Sequence, residues 1–228
     1  MAHGKKYKDA AKTFDNEGHH AISEAVTLVT SFPKRNYDES VDLAVRLGVD
    51  PRKAEEMVRG TVALPAGTGK SVRIAVFAEG DQAQAARDAG AEFVGGEDLA
   101  AQVEGGMLDF DVTIAAPNMM PLVGKLGRVL GPRSLMPNPK TGTVTPDVGK
   151  AVEEFKAGKV EFRTDKFANV HIPVGKVSFS EDDLEKNIRA VFEELNRLRP
   201  AGAKGQYVKR ASISSTMGPS VKLDATKV

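Results

Sequence analysis

Val72-Arg73-Ile74-Ala75-Val76-Phe77-Ala78 is a nearly continuous apolar run interrupted by one charge. Such a run reads as a strand buried on both faces, the kind a parallel sheet needs because crossover helices cover it above and below. The following residues keep to that scheme. Segment 81–89 reads as helix, 93–94 as a short strand behind Gly90, 99–103 as helix and 110–115 as strand; 119–130 is a helix interrupted by glycines and 147–155 a further helix. Strands alternating with helices imply βαβ crossovers and a small open α/β domain.

On either side the period changes. Residues 40–49 alternate, with Val41, Leu43, Val45 and Leu47 apolar and Asp42 and Arg46 polar, which is the pattern of a half-buried strand. Before it, 7–14 is short and mixed, and 23–29 has helical spacing behind a Ser23 cap, stopped by Pro33. Segment 61–64 is a second short strand, closed by Pro65 and Gly67-Thr68-Gly69. After Gly158 alternation returns at Val160 and Phe162, then at Val170, Ile172, Val174 and Val177. Ser180 caps a long helix, with Asp183 three residues on and Leu184, Ile188, Val191, Phe192, Leu195 and Leu198 in one stripe that Pro200 ends. Segment 206–215 alternates through Tyr207, Lys209, Ala211 and Ile213, and Met217-Gly218-Pro219 turns into 221–223.

The two outer parts share α+β texture and the middle does not. The fold class expected is α/β: a discontinuous α+β domain from residues 1–67 plus 160–228, with residues 68–159 inserted. Gly67, Gly69 and Gly158 mark the crossings, where short glycine-containing segments permit hinge motion.

Composition removes several functions. None of the 228 residues is cysteine, which excludes a disulfide framework, a thiolate metal site and a cysteine nucleophile, and makes an intracellular compartment the easier reading. No run approaches the roughly 20 apolar residues of a membrane span, and the basic N-terminus has no apolar stretch behind it, so a soluble protein with no membrane partner is expected. The 32 Lys and Arg nearly balance 31 Asp and Glu, for a net charge of +1. Local counts differ. Residues 1–67 hold ten basic and ten acidic side chains, 68–159 ten and twelve, and 160–228 twelve and nine. From Val112 to Pro146 there is no carboxylate, while Lys125, Arg128, Arg133 and Lys140 are present. A second acid-free run between Glu194 and Asp224 holds Arg197, Arg199, Lys204, Lys209, Arg210 and Lys222; a third cluster, Lys5, Lys6, Lys8 and Lys12, opens the chain. Each run alone reads as a solvated face, but three favour a polyanion partner, since every neutralised phosphate releases counterions.

Catalytic motifs fail on inspection. Gly67-Thr68-Gly69-Lys70-Ser71 resembles the end of a phosphate-binding loop, yet Leu64 stands where the first glycine belongs and a strand follows instead of a helix. A nucleotide-binding α/β enzyme using Lys70 is the alternative this motif keeps open. His3, His19, His20 and His171 have no metal-site spacing, and neither Asp109 with Asp111 nor Glu97 with Asp98 has a nucleophile beside it. No catalytic residue, metal ligand or cofactor is expected.

Two segments carry more. The Gly/Pro-rich stretch 124–144 spaces Lys125, Arg128, Arg133 and Lys140 along a stiff loop, and reads either as phosphate-binding or as a structural connection. Ser212, Ser214, Ser215, Thr216, Met217, Gly218 and Ser220 form a hydroxyl-rich strand and turn suited to ribose and phosphate, or else a solvated strand face.

Gly131-Pro132-Arg133-Ser134-Leu135-Met136-Pro137-Asn138-Pro139-Lys140-Thr141-Gly142-Thr143-Val144 resembles the signature of the L-one family of large-subunit ribosomal proteins, and Ser215-Thr216-Met217-Gly218-Pro219-Ser220 its C-terminal signature. Asn36-Tyr37-Asp38-Glu39-Ser40-Val41, Leu47-Gly48-Val49-Asp50-Pro51-Arg52, Val58-Arg59-Gly60-Thr61-Val62 and Phe162-Arg163-Thr164-Asp165-Lys166 support it, in the order of the bacterial form, over nearly the whole chain. Ser134 stands where the family usually has glycine, Tyr37 often corresponds to Phe, and Met107 replaces a common Trp.

The resemblance implies an inserted Rossmann-like domain and a non-enzymatic, cytoplasmic, ribosome-associated protein. Its partners would be the 23S rRNA stalk at the exit site, exit-site tRNA whose release it assists, its own operon mRNA, which it represses, and other ribosomal components. Carried onto this chain, the RNA surface would comprise Lys34, Arg35, Tyr37, Glu39, Ser40, Lys166, Ser212, Ser214, Thr216, Met217, Gly218 and Ser220. Lys5, Lys6, Lys125, Arg128, Arg133 and Lys140 would make secondary contacts.

Overall fold

The computed structural model describes residues 4–33 and 36–224. The chain divides into two compact units, Met1–Gly69 with Val160–Val228, and Lys70–Lys159. Thr68 and Gly69, placed with the insert on sequence, belong to the end-built unit. At Gly69 the backbone is left-handed (φ +68°), and an added Cβ would lie 2.7 Å from the Phe179 ring of that unit.

The end-built unit contains helices α1 (Lys5–Ala10) and α2 (Ile22–Ser31) and strands β1 (Ser40–Leu47) and β2 (Arg59–Ala63) from the first half of the chain. From the second half come β6 (Lys159–Arg163), β7 (Asn169–Lys176), α8 (Glu181–Arg197), β8 (Val208–Ser215) and β9 (Val221–Leu223). Its main sheet has the order β7-β1-β8-β9, while β2 pairs separately with β6. Strand β1 is antiparallel to both neighbours, with Leu43 opposite Ile172 and Ile213. Alternation decides the faces: Val41, Leu43, Val45, Val170, Ile172, Val174, Ile213 and Val221 are buried, whereas Asp42, Arg46 and His171 are exposed. Helices α2 and α8 pack together and close the buried side. Pro173 is tolerated because β7 is an edge strand and the register shifts beside it.

Two local expectations change. Helix α2 starts at Ile22 after an Ala21 cap without a side-chain bond, so Ser23 is inside the helix. The start is set by β9, because His20 N donates to Lys222 O and Asp224 N to His20 O, holding the chain extended up to that point. Lys209 is exposed and not in the inward register of Ala211 and Ile213. Arg46 pairs with Arg210 but Leu47 with Val208, so Lys209 is the extra residue of a bulge. The Ser180 cap stands as read, its Oγ accepting from Asp183 N and donating to the Asp183 carboxylate.

Asn187, in the apolar stripe of α8, is fully buried. Its Oδ1 accepts from Ala66 N, and its Nδ2 donates to Gly67 O (3.0 Å) and Val174 O (2.7 Å). One amide thus ties the chain's outgoing crossing to the helix and the edge strand.

The insert has three parallel strands, β3 (Ile74–Phe77), β4 (Phe93–Gly95) and β5 (Val112–Ala115), in the order β4-β3-β5. Every residue of β3 is fully buried, as a central strand covered on both faces requires. Around the sheet lie α3 (Gly80–Asp88), α4 (Glu97–Glu104), α5 (Met120–Lys125), α6 (Gly127–Leu130) and α7 (Val148–Lys156). The Gly/Pro stretch is a structural connection in its second half. Ala115 N donates to Thr143 O and Thr145 N to Ala115 O, so the chain runs beside β5 as a further edge. The buried Thr141 and Thr143 hydroxyls meet each other at 3.0 Å and both donate to Asn138 O. Ser134 adopts a left-handed backbone (φ +59°), the conformation that glycine takes without a steric cost.

Two outcomes follow from this geometry. Ser134→Gly removes about 1 kcal/mol of left-handed strain and gives back part of it as unfolded-chain entropy, so thermal melting of the full chain should show a gain of roughly 0.5 kcal/mol. Asn187→Ala strands a backbone N–H and two carbonyls away from water, and urea denaturation should show a loss of roughly 3 kcal/mol.

Candidate nucleic-acid interface

Because β1 and β8 are antiparallel with Val41 opposite Ser215, the residues just before β1 meet those just after β8. Ser40 N donates to Thr216 Oγ1 (3.1 Å), Thr216 Oγ1 donates back to Ser40 O (3.2 Å), and Thr216 N also reaches Ser40 O. Glu39 is only 6% exposed, and its Oε2 accepts from Met217 N at 2.9 Å. On the other side Val177 N donates to Glu39 O, and Asp38 accepts from the Ser178 amide and hydroxyl. The loop 36–39 is therefore clamped from both neighbouring strands, and it presents Tyr37 while the opposite turn presents Met217, each 53% exposed. Gly218 is required by close approach, since a Cβ there would stand 2.4 Å from Ser215 Oγ and 3.1 Å from the Phe32 ring.

The structure brings most of the expected residues to this end of the sheet. Tyr37, Ser40, Thr216, Met217, Gly218 and Ser220 surround the clamp, and Lys6 lines a small cavity there with Phe32, Glu39 and Met217. Lys5 is exposed on the same short helix. Glu39 and Thr216 act mainly inward, as the bonds that shape the turn. Ser212 and Ser214 are half-buried on the open face of the sheet, opposite Ala44 and Asp42. Lys166 is exposed but lies in the β6–β7 turn, at the far end of β1, about 25 Å along an eight-residue strand. Lys34 and Arg35 lie outside the described residues. In the insert, Lys125 ends α5, Arg128 is in α6, Arg133 follows it and Lys140 sits in the turn Pro139–Thr141; all four are exposed. Gly67 (φ +72°) and Gly158 (φ +113°), like Gly69, have left-handed backbones.

Residues outside the carried-over set complete the surface, among them His171, whose place opposite the apolar register of its strand already reads as a surface or RNA-facing position. The open face also carries His171, Arg46 and Arg210, with Arg46 directly opposite Arg210. The signal for the two arginines was present, since both occupy polar slots of alternating strands. Asp38 was missed because its partner, Ser178, is 140 residues away.

Lys70 is engaged otherwise than a phosphate-binding lysine. Its Nζ lies 3.1 Å from Asp111 Oδ1, and the strand β3 follows it where a helix N-terminus would be needed. Burial pushes the Asp111 carboxyl up, but hydrogen bonds from the Arg73 amide and from Lys70, with the Lys70 charge, hold it below the ordinary range. Among the described residues no group of three His, Cys, Asp or Glu is arranged to hold a metal ion, and no helix is long and apolar enough to cross a membrane.

Residues 29–219 match the model of the family described as Ribosomal protein L1p/L10e. The chain is 54% identical over 227 residues to the large ribosomal subunit protein uL1 of a Nocardioides species, covering 100% of this chain and 95% of that protein. It is 55% identical over 224 residues to uL1 of Cutibacterium acnes, covering 98% and 97% of the two chains. Against uL1 of Lactobacillus acidophilus it is 54% identical over 222 residues, covering 97% and 96%. These relatives are ribosomal proteins and not enzymes. With this match running through both the clamped turn and the Gly/Pro loop, the chain belongs to the L1 family of ribosomal proteins.

Proposed function

We propose that this protein is a constituent of the large ribosomal subunit that binds the 23S rRNA stalk through the clamped end of the end-built unit. The observation that carries the reading is the mutual hold of Glu39 and Ser40 on Thr216 and Met217, which fixes Tyr37 and Met217 outward in one geometry. A preset surface avoids the cost of ordering side chains on binding. Around it Ser212, Ser214 and Ser220 offer hydroxyls to ribose and phosphate, and Lys5 and Lys6 supply cations; Lys166 would add a phosphate contact from the far end of β1, and Lys34 and Arg35 are carried over on sequence alone. On this reading the protein is ribosome-associated in the cytoplasm, alongside other ribosomal components.

The exposed Lys125, Arg128, Arg133 and Lys140 of the insert support a second, weaker contact with RNA, and the glycine crossings at Gly67, Gly69 and Gly158 would let the insert move with the stalk as deacylated tRNA leaves. The same clamped surface would bind a stalk-like fold in the operon mRNA and repress its translation. In that case rRNA and mRNA compete for one site.

Two measurements test this. Met217→Asp places a carboxylate on an exposed position, so melting should be unchanged while filter binding to a stalk rRNA fragment weakens at least about tenfold; unchanged affinity would sink the site. Lys125→Ala with Arg128→Ala should weaken binding modestly and flatten the slope of log affinity against log salt by up to about one unit per lost phosphate contact.

A further inference from the structure

Among the described residues three large apolar side chains are exposed: Tyr37, Met217 and Phe167. The first two belong to the clamped end. Phe167 is the most exposed of the three, at 75%, and it sits in the β6–β7 turn at the opposite end of the sheet. Leaving a phenylalanine in water forgoes its burial energy, so its setting decides whether it is incidental.

The setting is rigid. Asp165 Oδ1 accepts from both Phe167 N and Asn169 N at 2.8 Å, and its Oδ2 accepts from Asn169 Nδ2 at 3.0 Å. Ala168 closes the turn with a left-handed backbone (φ +63°), its N–H on Asp165 O and its carbonyl accepting from Leu47 N of β1. The ring is therefore carried on a turn anchored to the central strand and held out of the core. The setting is also cationic. Lys166 is adjacent and exposed; Arg46 lies opposite Asn169 and beside Arg210, and none of the three forms an ion pair with a described residue. Arg163, also exposed, begins the turn. The turn's own carboxylate, Asp165, accepts from the Phe167 and Asn169 amides and lies 3.8 Å from His171.

A protein partner would call for an apolar pocket or patch around the anchor, and the described surroundings are charged. A lone ring among cations that form no ion pair with a described residue fits a nucleotide, whose base stacks while its phosphates meet the cations. We infer that Phe167 is a stacking platform for an unpaired base of the bound RNA, forming with Lys166, Arg46 and Arg210 a second RNA contact at the far end of the sheet. This contact rests on the proposed RNA-binding function but not on the clamped turn itself.

The chain contains no tryptophan, so Phe167→Trp makes a single fluorophore at the site. Titrated with the stalk rRNA fragment, this variant should bind at least as tightly as the parent, with emission quenched and shielded from iodide. Phe167→Ala should bind about tenfold more weakly with the salt slope unchanged, whereas Lys166→Ala should flatten the slope by about one unit. Tryptophan emission that stays constant at saturation, or parental affinity in Phe167→Ala, overturns the inference. If Met217→Asp binds as the parent while Phe167→Ala is weakened, the clamped site falls and the stacking contact stands. If the parent chain does not bind the fragment, both fall.

Discussion

Strand β1 is hydrogen-bonded on both edges to segments from the other half of the chain. Ser40 and Thr216, which exchange hydrogen bonds at its beginning, are 176 residues apart. Everything else in the end-built unit follows from that pairing. It aligns the inward residues of β7, β1 and β8 into one apolar floor for α2 and α8, and it brings the loop before β1 against the turn after β8. The long connection is affordable because closure entropy grows only logarithmically, by about 0.6 kcal/mol per doubling of loop length, and because most of the intervening chain folds on its own core.

The electrostatics of the open face have the same origin. The carboxylates nearest the candidate contacts are not bare. Glu39 takes the Met217 amide, Asp38 takes Ser178, and Asp165 takes the amides of Phe167 and Asn169. Burial pushes Asp165 up, yet those amide bonds and the nearby His171 hold it below the usual carboxylate range. At the two ends of the sheet these carboxylates shape turns through backbone amides and Ser178, and the open face between them carries Arg46, Arg210, His171 and hydroxyls beside the exposed Asp42. A whole-chain charge of +1 conceals this, since it counts inward and outward carboxylates alike.

What could be read in the sequence was what depends on period. Val41 to Leu47, Val170 to Val174 and the run around Ile74 announce their burial by alternation or continuity, and Ser180 announces a helix start by its spacing to Asp183. What could not be read depends on partners remote in the chain. The start of α2 is imposed by β9, the exposure of Lys209 by a bulge against β1, and the role of Asn187 by Ala66, Gly67 and Val174. Asn187 did leave a trace, as the one amide in the stripe of Leu184, Ile188 and Val191, but its partners could not be named from it. The Gly/Pro loop was open between two readings because glycine and proline serve both. The Thr141 and Thr143 hydroxyls, turned inward onto Asn138, settle the second half of that loop as architecture.

The order in which the strands are made has a consequence for the newborn chain. The insert has all its strands and helices once residue 159 has been synthesised, so it can fold early. Strand β1, made long before, has neither neighbour until β7 and β8 emerge after the insert. Until then it presents two open edges with Val41, Leu43, Val45 and Leu47 along one side, a stretch prone to pair with other chains. Asp42 and Arg46, alternating with them, are the charges that guard this strand while it waits.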